Sequence, residues 1–167
     1  MSPNRIPVVE RIMGANKQLA SQNRRILDLH EVHCINFMGS PGAGKTSLIV
    51  RTGRALQGRR SVGVIEGDIA STLDAEKVRD AGLPVVQINT GGTCHLDATM
   101  VGRALGELAL DEIDLLLVEN VGNLVCPVAF DLGEHTRVAI SSVPEGDDKP
   151  HKYPGIFASV GALVINK

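Results

Sequence analysis

A phosphate-binding pattern, G-x-x-x-x-G-K-[ST], is the strongest chemical signal in the sequence and covers Gly39, Ser40, Pro41, Gly42, Ala43, Gly44, Lys45 and Thr46. The glycines allow successive backbone N–H groups to point inward, and the start of the following helix adds a partial positive charge. Lys45 would neutralise the β- and γ-phosphates of a nucleotide, and Thr46 would offer its hydroxyl to Mg²⁺. With Ser47 included, these residues predict a site for a nucleoside triphosphate.

Two acidic residues follow apolar segments that read as strands. Asp68 ends the triplet Glu66-Gly67-Asp68, and Glu119 comes directly after 115–118. In open α/β sheets, ligands bind at the carboxyl ends of the strands, so both carboxylates are predicted to reach Mg²⁺ or its waters. Glu119 and Gly122 also have the spacing of the D-x-x-G sequence of P-loop hydrolases. The predicted catalytic set is therefore Lys45, Asp68 and Glu119, although acidic residues here could also simply solvate a turn.

The last two residues, Asn166 and Lys167, match the first half of the guanine-reading sequence N-K-x-D. We include both in the predicted nucleotide site. The dipeptide alone is a weak signal, and it leaves the choice between guanine and adenine open.

Sulfur and imidazole ligands form the second candidate site. Cys94 and His95 follow one predicted strand, and Cys126 lies seven residues beyond Glu119. Thiolate and imidazole suit Zn²⁺ and Ni²⁺, but a closed zinc site needs four ligands, so a second copy of the chain could complete the set. The alternative is that both cysteines are small buried residues, as predicted for Cys34 inside the first strand.

Hydrophobic periodicity predicts alternating helices and strands. The predicted helices cover 8–29, 45–56, 71–81 and 98–110, and the predicted strands cover 32–38, 61–65, 85–88, 115–118, 137–141 and 162–165. This alternation indicates βαβ units and a three-layer α/β fold with a mostly parallel sheet. The proline-containing segment 144–154 is predicted to be an exposed loop.

Composition narrows the class of protein. The 167 residues include 17 Lys and Arg against 19 Asp and Glu, a net charge of −2 that argues against binding nucleic acid. No apolar stretch is long enough to cross a membrane, and the polar start predicts a cytoplasmic protein. A hydrophobic content of 43% is sufficient for one core. We expect an amphipathic helix over 1–30 and a P-loop domain over 31–167.

Taken together, these residues resemble the hydrogenase nickel-incorporation GTPases, the HypB family of the signal-recognition-particle and MinD-like branch of P-loop proteins. The resemblance rests on the phosphate loop and on four further segments, 66–76, 91–95, 119–127 and 145–150. It implies a metallochaperone that uses GTP and Mg²⁺, binds Ni²⁺ or Zn²⁺, and assists nickel delivery to the large subunit of [NiFe] hydrogenase together with a partner nickel metallochaperone. It also implies that Cys94, His95 and Cys126 are metal ligands at a homodimer interface that depends on nucleotide and metal.

Two departures from the family are visible. Neither a Cys-rich nor a His-rich nickel segment precedes the phosphate loop, so nickel storage is not expected. Family members also continue beyond Asn-Lys with the missing Asp and further elements, so a C-terminal part of the GTPase domain is expected to be missing here.

Three alternatives remain open. The urease-type nickel GTPases share the chemistry but carry Cys-Pro-His, whereas here Cys precedes His95 directly and Pro127 follows Cys126. A small-molecule P-loop kinase would use Asp68 to activate an acceptor hydroxyl. A metal-binding dimerisation module would use the nucleotide only as a slow regulator.

Overall fold

The computed structural model describes residues 8–167, with a six-stranded parallel sheet at its centre. The strands lie in the order β3-β2-β4-β1-β5-β6. Their bounds are β1 His33–Gly39, β2 Val62–Asp68, β3 Val85–Asn89, β4 Leu115–Glu119, β5 Thr136–Ser142 and β6 Ala162–Asn166. This arrangement confirms the predicted three-layer α/β class. The first seven residues of the predicted unit 1–30 lie outside the described part of the chain.

The described residues also form six α-helices and three short 3₁₀ turns. The helices are α1 Val8–Leu29, α2 Lys45–Leu56, α3 Leu73–Asp80, α4 Ala98–Leu105, α5 Lys149–Lys152 and α6 Pro154–Ser159. The 3₁₀ turns are Leu110–Glu112, Cys126–Ala129 and Val143–Glu145. Among the described helices, none is both long and apolar enough to cross a membrane.

The alternating side chains of the strands build a core on each face of the sheet. On one face Leu116 of β4 packs with Leu27 of α1 and Val101 of α4. On the other face Leu117, the next residue of β4, packs with Ile49 of α2. Because every strand pair is parallel, the carboxyl ends of β1, β2 and β4 meet at one edge, where ligands bind in such sheets.

The predictions were wrong by three or more residues at the ends of β2 and α4, and wrong in type over the segment 144–154. β2 continues to Asp68 rather than stopping at 65, because Glu66 pairs with Glu119 on one side and Asp68 pairs with Asn89 on the other. α4 stops before Gly106 rather than running to 110. The segment 144–154 contains helical turns instead of an open loop, and prolines stand in the first turns of both α5 and α6, where their missing N–H has no cost.

Candidate nucleotide and metal site

A cavity of 540 Å³ opens at the carboxyl ends of β1, β2 and β4. Most of the predicted nucleotide residues line it, namely Pro41, Gly42, Gly44, Lys45, Thr46, Ser47 and Lys167, together with Asp68 and Glu119. Gly39, Ser40, Ala43 and Asn166 do not line the cavity. Gly39 and Ser40 accept hydrogen bonds from the lining residue Lys45, and Asn166 donates to Ala43. The structure therefore brings the sequence-predicted phosphate residues to one place.

The phosphate loop has the backbone that its glycines allow. Gly44 has a φ of 102°, in the left-handed region where a side chain is strained. A Cβ at this position would clash with the side-chain amide nitrogen of Asn166, so the close approach of β6 also requires glycine. The Asn166 amide donates to the Ala43 carbonyl at 3.0 Å, and the Lys167 ammonium donates to the Gly42 carbonyl. The hydrogen bonds from Asn166 and Lys167, at the end of β6, thus stabilise the phosphate loop.

Lys45 turns back onto the loop that precedes it. Its ammonium group donates to the carbonyls of Ser40 at 3.2 Å and Gly39 at 3.4 Å, and its side chain is buried. Burial lowers the pKa of Lys45, while the nearby Glu119 opposes this effect. A buried ammonium group beside inward-facing amides provides strong positive potential for an anion such as a phosphate.

The acidic side of the cavity has groups suited to a divalent cation. The Thr46 hydroxyl donates to Glu119 Oε1 at 3.0 Å. Glu119 Oε2 and Glu66 Oε2 are buried and have no hydrogen-bond partner among the described residues. Buried carboxylate oxygens are costly when unpaired, and Mg²⁺ prefers oxygen ligands such as these. The residues present therefore fit Mg²⁺.

Burial also changes the ionisation of both glutamates. Burial, followed by the charges of Glu119 and Asp68, raises the pKa of Glu66 to about 8. Burial raises the pKa of Glu119 to about 7, although Lys45 and the Thr46 hydrogen bond oppose the rise. In the metal-free protein, protons therefore occupy part of this site near neutral pH.

Asp68 is held in place by backbone donors. Its Oδ1 accepts from the Ile69 N–H at 2.6 Å, and its Oδ2 accepts from the Ser71 N–H at 3.0 Å. The carboxylate both orders the turn after β2 and lines the cavity, so the turn role and the cavity position are compatible.

The predicted metal ligands lie together at the same edge of the sheet. The candidate ligand atoms of Cys94, His95 and Cys126 are all within 4.8 Å of one another, and Cys94 Sγ lies 3.8 Å from His95 Nδ1. The His95 ring stacks on Phe130 with a centroid distance of 3.9 Å. These contacts place one imidazole and two thiols in a partly buried cluster, a suitable ligand set for zinc or nickel.

The imidazole of the cluster is ready to bind a cation, whereas the thiol of Cys94 must first lose its proton. A hydrogen bond that the Cys94 thiol donates to Cys126, followed by burial, raises the pKa of the Cys94 thiol. Burial lowers the pKa of His95, which keeps the imidazole neutral and free to donate a lone pair. Because thiols lose their protons when they bind a metal, binding here would release protons.

Cys34 is separate from this cluster, and the prediction that it is a core residue is confirmed. It is 1% exposed within β1, and burial raises the pKa of its thiol. This leaves Cys94 and Cys126 as the partly exposed thiols.

Sequence reasoning missed several residues at this edge. Glu66 lines the cavity beside Glu119, and so does the ion pair between Asp74 and Lys77, with 2.7 Å between their charged groups. It also missed two fully buried amides, Asn36 and Asn120. The available signal was the position of Asn36, a polar residue in the middle of an otherwise apolar strand.

The parallel sheet, the glycine loop between β1 and α2, and the acidic residues at the strand ends define a P-loop NTPase. The fold agrees with a solved signal recognition particle receptor, FtsY from Elizabethkingia anophelis, at a TM-score of 0.60 and 14% identity, over 81% of this chain and 50% of that one. Residues 33–167 match the family described as CobW/HypB/UreG, nucleotide-binding domain. The chain belongs to this family.

Its relatives include hydrogenase maturation factors. The chain is 51% identical over its whole length to the HypB of Rhizobium leguminosarum bv. viciae, and spans 56% of that protein. It is 48% identical to a probable HypB of Methanocaldococcus jannaschii, over 97% of this chain and 73% of that protein.

The HypB crystal structure from Helicobacter pylori in complex with nickel superposes with a TM-score of 0.86 at 38% identity, covering 90% of this chain and 71% of that one. Similarity to that structure and to the hydrogenase maturation factors supports the resemblance read from the sequence.

Proposed function

We propose that this chain is a GTP-hydrolysing metallochaperone domain that binds nickel or zinc and assists nickel insertion during [NiFe] hydrogenase maturation. One observation carries the proposal: the ligand atoms of Cys94, His95 and Cys126 converge within 4.8 Å, on the loop that starts at the phosphate-site residue Glu119 and on a neighbouring loop. Nickel is the cargo in this proposal, and nucleotide hydrolysis regulates its binding and release.

The hydrolytic chemistry follows from the phosphate site. The amides of the glycine loop and the ammonium group of Lys45 bind the phosphates and stabilise the charge that develops as water attacks the γ-phosphorus and the bond to the bridging oxygen breaks. Thr46, Asp68 and Glu119 would hold Mg²⁺, which supplies further positive charge on the phosphates. Asn166 and Lys167, next to the loop, would contribute to recognition of the guanine nucleotide.

A homodimer is part of the proposal. Three ligands leave a zinc or nickel site one short of a closed tetrahedral set, and a second copy would supply the missing donors. An exposed apolar side chain next to a ligand supports this arrangement, since Val125 directly precedes Cys126 and is 59% exposed. A nickel-supplying metallochaperone and the large subunit of [NiFe] hydrogenase are the proposed partners.

The test is a nickel titration followed by thiolate-to-metal charge-transfer absorbance, with and without Mg²⁺ and a non-hydrolysable GTP analogue. The variants are Cys94→Ala and Cys126→Ala, and Cys34→Ala is the matched control because it removes a thiol outside the cluster. We expect the absorbance to disappear in the first two variants, to persist in the control, and to change with nucleotide.

Absorbance that survives in both Cys94→Ala and Cys126→Ala would contradict the metal assignment. GTP turnover in the same preparations checks the enzymatic part, with competition by ATP as the test of guanine selectivity. Phosphate transfer to an acceptor other than water would instead favour the kinase alternative, which the hydrogenase-maturation relatives do not favour.

A further inference from the structure

The segment that runs from Glu119 to Cys126 touches both the phosphate site and the metal cluster. At its start, Glu119 accepts from Thr46 of the phosphate loop. In its middle, Gly122 packs on Pro41, and a Cβ at Gly122 would lie 2.9 Å from the Pro41 nitrogen. At its end stands the metal ligand Cys126. Two asparagines in this segment have side chains directed at the ligand-bearing backbone.

Asn120 holds the loop that carries Cys94 and His95. Its Oδ1 accepts from the N–H of Leu96, the residue after His95, at 3.1 Å, and from its own neighbour Val121 at 3.0 Å. The Asn120 N–H donates to the Phe37 carbonyl at the end of β1. Asn120 is fully buried, so the Leu96 N–H has no water to replace this acceptor if it is lost.

Asn123 holds the turn that carries Cys126. Its Oδ1 accepts from the N–H of Val125 at 2.8 Å and of Cys126 at 3.3 Å. Its own N–H donates at 3.1 Å to the carbonyl of Gly39, the first residue of the phosphate loop. One residue therefore joins the phosphate loop to the backbone of a metal ligand.

A buried chain of polar groups fixes the Asn120 amide in this orientation. Its Nδ2 donates to Asn36 Oδ1 at 3.3 Å, and Asn36 Nδ2 donates to Glu134 Oε1 at 3.2 Å. Glu134 in turn forms an ion pair with Arg137 at 2.5 Å. Since each amide is satisfied on both sides, the Asn120 oxygen is directed at Leu96 and cannot exchange places with the nitrogen without losing hydrogen bonds.

We propose that Asn120 and Asn123 are positioning residues that couple occupancy of the phosphate site to the spacing of the metal ligands. Movement of Glu119 or Gly122 towards a bound nucleotide shifts the backbone of both asparagines, which then shift Cys94 and His95 on one side and Cys126 on the other. This inference rests on the proposed function, because it requires that both sites bind their ligands.

The experiment measures a coupling ratio, the Kd for Ni²⁺ without nucleotide divided by the Kd with Mg²⁺ and a non-hydrolysable GTP analogue. By linkage, the nucleotide Kd must change by the same ratio when Ni²⁺ is added, which gives an independent check. The variants are Asn120→Ser and Asn123→Ala. Asn23→Ala is the matched control, because it removes a buried amide that bonds to the carbonyls of Ala98 and Leu132 and to no residue of the phosphate site or of the segment from Glu119 to Cys126.

We expect a ratio that differs from one by about fivefold or more in the parent and in the control Asn23→Ala. We expect Asn120→Ser and Asn123→Ala to bring the ratio to within about twofold of one. A loss of Ni²⁺ affinity that is the same with and without nucleotide does not change the coupling ratio, because both Kd values are measured on the same variant. If Asn120→Ser does not fold, Asn123→Ala alone decides the outcome.

Ratios unchanged from the parent, or a parent ratio of one, would overturn this inference while leaving metal binding and hydrolysis intact. Failure of the proposed function is a different result: the protein still binds nucleotide but gives no cysteine-dependent Ni²⁺ signal. That result would overturn the proposed function and, with it, this inference.

Discussion

Two buried glutamates and one buried lysine share the phosphate site. The electrostatic energy of these three groups is unfavourable until a ligand is bound. Glu66 and Glu119 are paired across β2 and β4, and each has one carboxylate oxygen without a partner among the described residues. Lys45 alone cannot compensate both charges, because its ammonium group is directed at the carbonyls of Gly39 and Ser40. Such a site loses stability when it is empty and gains it when cations and phosphates bind.

Glu66→Gln should stabilise the metal-free protein at alkaline pH. The pKa of Glu66 rises from 4.5 to about 8 on folding. Between these values the folded protein keeps a proton that the unfolded chain releases, so the free energy of unfolding falls as pH rises. The free energy of unfolding of the glutamine variant lacks this decrease, so at about pH 8 it should exceed that of the parent by several kcal/mol, with little difference at about pH 5.

Urea denaturation in EDTA across this pH range measures the effect, and the exposed Glu107→Gln is the control. A parent whose free energy of unfolding rises from about pH 5 to about pH 8, with no gain in Glu66→Gln, would contradict this account of Glu66.

The three thiols should react at very different rates. Cys94 and Cys126 are partly exposed, whereas Cys34 is buried within β1. A chromogenic disulfide reagent should therefore titrate two thiols in the folded protein, with the third about a hundredfold slower or accessible only in denaturant. Nickel should protect the two fast thiols. Three equally fast thiols in the folded protein would show that β1 does not exclude solvent.

At the scale of elements, α1 is fixed to the domain by buried amides. Asn16 Oδ1 accepts from the Ala98 N–H at 2.9 Å, and Asn16 Nδ2 donates to the Asp131 carbonyl at 2.8 Å. Asn23 Nδ2 donates to the carbonyls of Ala98 at 2.8 Å and Leu132 at 2.9 Å. The helix therefore joins the start of α4, just after Cys94 and His95, to the loop that follows the Cys126 turn.

Asn23→Ala should weaken the docking of α1. The change leaves two buried carbonyls without donors, which should lower the free energy of unfolding by on the order of 2 kcal/mol. Ser21→Ala is the matched control, because the exposed Ser21 hydroxyl bonds only to Lys17 of the same helix, and its loss should cost less than about 0.5 kcal/mol. Urea denaturation compares the two, and equal costs would mean that the Asn23 hydrogen bonds do not stabilise the fold.

At the scale of the whole molecule, the phosphate cavity, the metal cluster and the exposed side chain of Val125 lie at one edge of the sheet. Leu29, by contrast, ends α1 next to the start of β1, at the opposite edge. The exposed position of Val125 next to Cys126 supports the proposed association of two copies through the edge that carries the ligands.

Val125→Asp should weaken this proposed association. The new charge stands next to Cys126 and would be desolvated between two copies, so the dimer Kd should rise by about tenfold or more. Light scattering in the presence of nickel and a GTP analogue measures the mass. Leu29→Asp is the control, since Leu29 is 81% exposed at the other edge. A dimer that tolerates Val125→Asp but not Leu29→Asp would contradict the proposed interface.

Much of the fold was predictable because the relevant signals are local. The ranges of α1 and α2 agree with the structure residue for residue, since their apolar periodicity and the glycine loop before α2 are features of neighbouring residues. The end of β2 was not predictable, because its last residues are polar and become a strand only by pairing with β3 and β4. The helical turns after Ser142 were likewise hidden by a proline-rich composition.

The sequence by itself determined the phosphate loop, its place between β1 and α2, and the types of the metal-binding candidates, because each depends on residue type and short spacing. Only the tertiary structure decided that Cys94 and His95 meet Cys126, about thirty residues away, and that Glu66 faces Glu119. It also decided that Asn120 reaches Leu96. These contacts depend on strand order and register, which bring distant segments to one edge of the sheet, and no local pattern specifies which strands become neighbours.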